Sequence, residues 1–355
     1  MIGKNYSFEG WRRFVGLGFL LVAPAVAADA QIVESVGSRA LGMGGAFVAV
    51  ASDSTATWWN PAGIAAGPFV DLGLGRDRVE VTEQAPAWRH KTSWFALGTP
   101  ALGLSYYRFR ITDVQPLGPA APVAGGRPQE RGDDPVQSVA LSQLGVTIVR
   151  TLISGVHVGT TLKYVRGTVR SGPLDGVVES AASLSAGLEQ GDALEGGMAE
   201  NKFDLDVGLI AVTGPLRLGA TVRNLREPEF FAEGSGSDAL TTGMRLPRQV
   251  RVGAAFDGAA VGSIPLTVAV DADLQTYVTA SGERRMIALG AEQWFLGRGV
   301  ALRVGGRVNT RGARERVATG GVTVEAGEGV YLDGYAVRGG TEEERGWGLA
   351  TRISF

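Results

Sequence analysis

The sequence predicts an all-β fold, specifically a transmembrane antiparallel β-barrel of about fourteen strands. Three observations carry that expectation. Segments with apolar residues at every second position recur through residues 69–355, the connections between them alternate between short and long, and the chain opens with the pattern of a secretory signal.

The elements follow in chain order. Arg12 and Arg13 precede the apolar run FVGLGFLLVAPAVA, residues 14–27, and small residues follow in AVAADAQ. A basic start, an apolar core and a small-residue end are what an export signal requires, so residues 1–30 are read as a signal peptide, cleaved after Ala27 or Ala30. The run is shorter than the roughly 20 residues that a membrane-crossing helix needs. After it, no stretch reaches 18 consecutive apolar residues, which argues against a helical membrane protein.

Glycine, at 53 of 355 residues, has no collagen period and is not accompanied by apolar depletion, so it points to many strands and turns. The formal net charge of −2 lacks the basic excess that neutralises phosphates, so nucleic acid is not an expected partner. With no cysteine, the chain has no disulfide framework, thiolate metal site or cysteine nucleophile.

The expected strands are 69–81, 92–98, 101–111, 136–151, 155–170, 201–213, 215–224, 246–257, 264–274, 284–296, 299–309, 314–325, 329–338 and 346–355. In PLTVAVDADL, residues 265–274, Val268, Val270 and Leu274 share one face, while Asp271 and Asp273 share the other. FDLDVGLIAV sets Phe203, Leu205 and Leu209 against Asp204 and Asp206, and ALRVGGRVNT sets Leu302, Val304 and Val308 against Arg303 and Arg307. Short links fall at Thr99-Pro100, Ile153-Ser154, Gly214, Gly297-Arg298 and Gly327-Glu328, with a longer one at 258–263. Polar Gly/Pro-rich connections fall at 112–135, 171–200 and 225–245, with smaller ones at 82–91, 275–283, 310–313 and 339–345. Short turns on one side and long loops on the other is the arrangement of an outer-membrane barrel. A soluble sandwich would also alternate, but only a closed sheet lets strands cross lipid with every backbone group paired.

Aromatic residues, among them Trp58, Trp59, Trp88, Trp94, Tyr106, Tyr107, Tyr164, Phe203, Trp294 and Tyr335, lie mostly near strand ends, where lipid–water boundaries are expected. The chain closes on GWGLATRISF, with Trp347, Leu349, Ile353 and Phe355 on one face. Two strands depart from strict alternation. In ALGLSYYRFRI, Leu102, Leu104 and Tyr106 follow one phase and Tyr107, Phe109 and Ile111 the other, which predicts a bulge or kink near Tyr106-Tyr107. Segment 136–151 has Val139 and Leu141 in one phase and Val146 and Ile148 in the other.

Between the signal and the first strand lies SRALGMGGAFVAVASDSTATWWNPAGIA, residues 38–65. Its glycines, Gly42, Gly44 and Gly45 among them, permit positive φ and close backbone approach. Asn60 and Pro61 are suited to cap and open a short helical turn. The stretch closely resembles the N-terminal signature of the FadL-type outer-membrane barrel superfamily, and in particular its PorV/PorQ-like branch. The similarity rests on Ser38-Arg39-Ala40, Gly42 to Ala46, Ala51 to Asp53 and Trp59 to Gly63, with weaker pieces at 158–167, 214–225, 246–256, 290–295, 301–307 and 332–337. The resemblance implies a fourteen-stranded barrel in the bacterial outer membrane, plugged by residues 31–68 acting as a hatch, with the barrel itself at 69–355. Gly42, Gly44, Gly45, Asp53, Trp58, Trp59, Asn60 and Pro61 are the hatch candidates. It also implies passive uptake or binding of a hydrophobic, fatty-acid-like molecule, with a lateral opening at the third strand, where Tyr106, Tyr107 and Phe109 lie. The PorV-like relatives imply a different role, docking secreted proteins or a secretion machine. The chain is shorter than typical fatty-acid transporters and its loop at 118–135 is polar, which departs from the fatty-acid pattern. Whether the hatch moves or stays fixed is open at this point.

Other chemistry finds little support. GMGGAF has the glycines of a dinucleotide loop but no Lys-Ser/Thr and no parallel-sheet unit. His90 in WRHK reads as a loop residue and His157 as a strand residue wetted by the lumen, and neither has a nucleophile and carboxylate at sequence positions that suggest a triad. The i, i+2 pairs Asp204/Asp206 and Asp271/Asp273 read as lumen charges facing Arg303, Arg307, Arg217 or Arg223 rather than as metal ligands. No catalytic residue, metal or cofactor is expected. The expected partners are outer-membrane lipid, a hydrophobic small molecule and, in the second reading, secreted proteins or secretion-system components.

Overall fold

The computed structural model describes residues 29–355 except 84, 115–134, 175–179, 233–242, 263, 280–281 and 341–343. The signal-like run 1–28 and most of the polar loop 118–135 lie outside the described residues.

Fourteen antiparallel strands form one closed barrel. They are β1 (Asp71–Val81), β2 (Ala87–Gly98), β3 (Leu102–Val114), β4 (Pro135–Ile153), β5 (Val156–Pro173), β6 (Glu200–Thr213) and β7 (Leu216–Arg223). They continue as β8 (Gln249–Asp257), β9 (Leu266–Asp273), β10 (Met286–Phe295), β11 (Val300–Asn309), β12 (Arg316–Gly327), β13 (Val330–Gly339) and β14 (Arg345–Ser354). Each strand pairs with its sequence neighbour, and β14 closes on β1 from Arg345↔Glu80 to Ser354↔Asp71. All fourteen expected strands are present. The main difference in extent is β2, which starts at Ala87, so Trp88 to Lys91 are strand and His90 is not in a loop.

In β3 and β4 the apolar face changes partway up the wall. Near the short turns β3 presents Leu102, Leu104 and Tyr106 outward, each more than 40% exposed, whereas farther along Tyr107, Phe109 and Ile111 are buried on the inner face. The same switch occurs in β4, where Leu144, Val146 and Ile148 face out and Val139 and Leu141 are buried. The expected bulge at Tyr106-Tyr107 is not there, because β3 pairs without a register break to β2 (Phe95↔Tyr106, Trp94↔Tyr107) and to β4 (Tyr106↔Leu144, Tyr107↔Gln143). The phase change marks a change of solvent. Below it these strands are apolar outside and polar inside, as lipid requires; above it they have the polar-out, apolar-in order of a water-soluble protein, whereas on β10 and β11 the outward face stays apolar to the loop end, with Ile287, Leu289, Val304 and Val308 exposed. Each Leu, Ile or Phe left outward would cost about 1.5–3 kcal/mol of lost burial in water, and the continuous outward band has no soluble counterpart of that size.

The aromatic residues divide accordingly. Phe95, Tyr106, Tyr164 and Phe203 face outward, while Trp58, Trp59, Trp94, Tyr107 and Tyr335 are buried inside, so only part of the aromatic set lines a lipid boundary.

Outside the barrel wall, two short helices, α1 (Ser38–Gly42) and α2 (Ala56–Trp59), lie in the N-terminal segment. A third, α3 (Ala181–Ala193), belongs to the β5–β6 connection and is N-capped by Ser180, whose hydroxyl accepts from the Ser183 N–H. Leu184, Gly187, Leu188 and Gly191 recur at helical spacing on its buried face. They pack on outward-facing Val114 and Thr112 of β3 and Val136 of β4. At the loop end a small sheet joins Asp29–Ala30 in parallel to Met244-Arg245 and Thr279, so the described chain starts on the loop side.

Candidate functional site

Residues 31–64 are almost entirely buried, and the inward side chains of the barrel bond to them directly. Local chemistry explains how the segment folds there. Asn60 adopts an extended conformation (φ −158°, ψ 104°) and its Oδ1 accepts from the Ala62 N–H at 3.2 Å, capping the 3-10 turn Pro61–Ala66 with Pro61 in its first position. The Asn60 Nδ2 donates to the carbonyls of Val48 (2.8 Å) and Leu209 of β6 (3.1 Å), tying the turn both to the segment and to the wall. Asp53 accepts from the Thr55 N–H at 3.0 Å and pairs with Arg39 at 3.3 Å. Trp59 donates its indole N–H to the Val36 carbonyl at 2.9 Å.

Two close approaches need glycine. Gly44 has φ +70°, and a Cβ there would lie 2.6 Å from the Gly306 nitrogen of β11; one on Gly305 would lie 2.2 Å from the Met43 carbonyl carbon. At Gly208 of β6 a Cβ would meet Asn60 Oδ1 at 2.0 Å. Gly42 faces Gly321 of β12, where a Cβ would be 3.2 Å from the Gly321 Cα, while Gly45 (φ +85°) lies beside the Trp59 ring.

The lumen differs along its length. Toward the turns it is charged. Arg39 donates two parallel hydrogen bonds to Glu292 of β10, both 2.8 Å. Glu292 also accepts from Arg303 of β11 at 2.6 Å, Arg303 reaches Asp333 of β13 at 3.5 Å, and Arg352 of β14 bridges Asp333 (3.6 Å) and Asp71 (3.4 Å). Asp71 in turn accepts from the Ser54 N–H at 2.7 Å. Toward the loops it is divided: charged beside β8 to β11, where Glu34, Arg251, Asp273, Arg284 and Arg307 lie, and apolar beside β3 and β4. Trp58 lies against Tyr107 and Phe109, both at 5.0 Å between ring centroids, within a core that includes Val36, Ile111, Val139 and Leu141. The Arg223 guanidinium lies over the Trp58 ring at 3.9 Å, and the Tyr107 hydroxyl shares a 2.6 Å hydrogen bond with Thr57.

Cavities remain on both sides of the segment. The loop-side cavity, about 100 Å³, is lined by Ile32, Leu41, Val79 and Trp88 together with charged Glu34 and Arg284. Glu34 pairs with Arg251 of β8 and with Arg284 at 2.5 Å. Burial alone would raise its carboxyl pKa, but the charges of Arg251, Arg284 and Arg307 outweigh that and hold it well below the usual carboxylate range. The turn-side cavity, about 400 Å³, is polar and bordered by Arg39, Arg217, Glu292 and Arg352.

The predicted lumen charges do face inward, but their partners differ from those expected. Asp204 and Asp206 share Lys163 of β5 at 2.8 and 2.7 Å, Asp273 pairs with Arg251 at 2.8 Å, and Asp271 accepts from the Phe47 and Val48 N–H groups at 2.8 Å each. Arg303 takes Glu292, Arg307 takes Glu344, and Arg217 takes Asp257 at 2.6 Å. Partner choice depends on strand order and shear, which two-residue periodicity does not encode. Sequence reasoning missed Arg39, Glu34, Lys163 and Glu292 as anchors. Inward placement of Lys163 and Glu292 was legible from strand phase; their pairing was not. Tyr107 and Phe109 face the segment, whereas Tyr106 faces out, so the three do not form one group.

A family model described as "F plasmid transfer operon, TraF, protein" matches residues 135–273, less than half of the chain. None of the curated proteins matches. Among solved structures, the CymD monoaromatic hydrocarbon channel is 14% identical with a TM-score of 0.57, over 90% of this chain and 98% of that one. The Pseudomonas putida toluene transporter TodX is 13% identical with a TM-score of 0.56, over 91% and 98%. A Pseudomonas aeruginosa FadL homologue is 8% identical with a TM-score of 0.58, over 93% and 100%. At these identities the likeness is one of fold: the chain is a closed fourteen-stranded antiparallel barrel resembling FadL-type hydrocarbon-channel structures.

Proposed function

We propose that this chain is a non-enzymatic outer-membrane channel for passive entry of small hydrophobic molecules, seen with its lumen closed. Residues 1–30 would be the export signal, 31–68 the hatch and 69–355 the barrel. The observation that carries this reading is the apolar interior beside β3 and β4, where Trp58, Phe109, Ile111, Val139 and Leu141 pack together. A water-filled porin has a polar lumen; an apolar one suits a ligand that leaves water. Displacing the segment that carries Trp58 would uncover that surface, and the same segment, through Ile32 and Leu41, walls the small cavity beside Trp88. A cavity on the order of 150 Å³ is large enough for benzene, so about 100 Å³ extended by a slight withdrawal of the segment reaches the volume of a single ring, with charged Glu34, Arg284, Arg307 and Glu344 on its border. The monoaromatic hydrocarbon and toluene named for the channels of like fold belong to that size class. The charged turn-side half would then hold the hatch, through Arg39, Asp53, Asn60 and Asp271, rather than contact the ligand.

Cells that make the protein should accumulate labelled toluene faster than cells lacking it, and equal rates would end the proposal. The finer PorV/PorQ-like reading makes a different demand: secreted proteins should co-purify with the barrel from native membranes while toluene uptake stays at background.

A further inference from the structure

Above the level where the wall changes face, the outer surface of β1 to β5 carries a row of cations. Strand pairing runs Arg76↔Ser93↔Arg108↔Ser142↔Arg166, so three outward arginines alternate with two outward hydroxyls along one line across the sheet. Alternate strands are roughly 10 Å apart, within joint reach of one multiply charged headgroup. All three arginines are exposed, and among the described residues none is in an ion pair. Two residues lower on the same face runs the apolar row Phe95↔Tyr106↔Leu144↔Tyr164↔Phe203, with Tyr164 and Phe203 in ring contact at 5.3 Å.

A second observation shows what the cationic surface attracts. Immediately above the row, where α3 covers it, the carboxylate of Asp192 sits among Arg89 (3.2 Å), Lys91 and Thr112 (2.7 Å), and Arg110 donates to the Asp192 carbonyl. The protein's own loop thus supplies an anion to the upper part of the patch, and among the described residues none covers Arg76, Arg108 and Arg166.

The geometry points to a binding site for a phosphorylated lipid of the outer leaflet on the outer wall of β1–β5, with Arg76, Arg108 and Arg166 holding the phosphates and the Tyr106/Tyr164 row packing its acyl chains. Guanidinium forks suit phosphate oxygens, aromatic rings suit the interfacial level, and the two rows lie in the order that a lipid standing upright in the outer leaflet presents. The site is separate from the lumen, so it stands even if the uptake reading fails.

The test uses the full-length barrel purified in detergent, with native mass spectrometry after addition of diphosphoryl lipid A. Wild type should retain the lipid, and the triple variant R76Q/R108Q/R166Q should retain about tenfold less or lower, as expected when several charge-assisted contacts are lost. A turn-end control, R150Q, should match wild type. Lipid A stripped of both phosphates should bind wild type as weakly as the triple variant binds the intact lipid. Equal retention by wild type and triple variant would overturn the site, and so would complete displacement by millimolar inorganic phosphate, which would make it a site for the free anion. Heat-modifiable gel migration reports whether the triple variant is a closed barrel; should it not be, R108Q alone must give intermediate retention.

Discussion

Arg39 in α1 and Glu292 in β10 meet through two parallel N–H···O hydrogen bonds of 2.8 Å, joining the N-terminal segment to the wall inside the barrel. Removing one partner of a buried pair typically costs about 3–5 kcal/mol because the other charge stays buried. R39A should therefore release the segment, with Glu292 left to Arg303 and the Trp294 indole N–H. The chain has no cysteine, so A49C at a fully buried position offers a clean reporter. Maleimide should label A49C slowly and R39A/A49C at least an order of magnitude faster; unchanged labelling would show that Arg39 is not an anchor.

Gly305 tests the steric fit. A valine there would place Cβ 2.2 Å from the Met43 carbonyl carbon, a backbone atom that cannot move without the whole turn. G305V should assemble as a closed barrel, because the residue's strand pairing to Gly290 and Thr319 is backbone only, yet it should expose residues 31–67 to protease. Protection equal to wild type would mean that the segment has more slack than these contacts allow.

Asn60 separates capping from wall contact. N60D keeps an oxygen for the Ala62 N–H but turns the donor aimed at the Val48 and Leu209 carbonyls into an acceptor. Each buried carbonyl left without its donor costs about 1–3 kcal/mol. Hydrogen exchange over residues 56–66 should therefore accelerate in N60D at least as much as in N60A; protection in N60D close to wild type would assign the whole role of Asn60 to capping.

Glu34 sets the pH response at the loop end. Its folded pKa lies below the ordinary carboxylate value of 4.5, so its contribution to docking is fully present above that value and is lost as pH falls through the depressed one. Exchange protection of residues 31–36 should hold constant from neutral to mildly acidic pH and drop only in strong acid. E34Q should lower the protection at neutral pH and flatten the acid response. A drop in wild type between pH 7 and 5 would contradict the pairing with Arg251 and Arg284.

Much of the barrel was legible because a strand has a side-chain period of two and lipid imposes an outward apolar face, so each segment announced itself alone. The same rule misread Tyr106-Tyr107. A phase change in one strand has two causes, an inserted residue or a change of surroundings, and only the unbroken pairing of β3 with both neighbours separates them. The cap at Asn60 was readable because its hydrogen bond is local, two residues away. The bond between Arg39 and Glu292 spans 253 positions and was not.

By itself the sequence determined the strand count, the order of turns and loops, the inward phase of the aspartates and the capped turn at Pro61, all consequences of interactions within about ten residues. Tertiary structure alone decided which charge meets which, that Lys163 rather than an arginine neutralises Asp204 and Asp206, and where the wall leaves the membrane. Those outcomes depend on how fourteen strands are staggered when the sheet closes, and closure brings together residues that no local pattern relates.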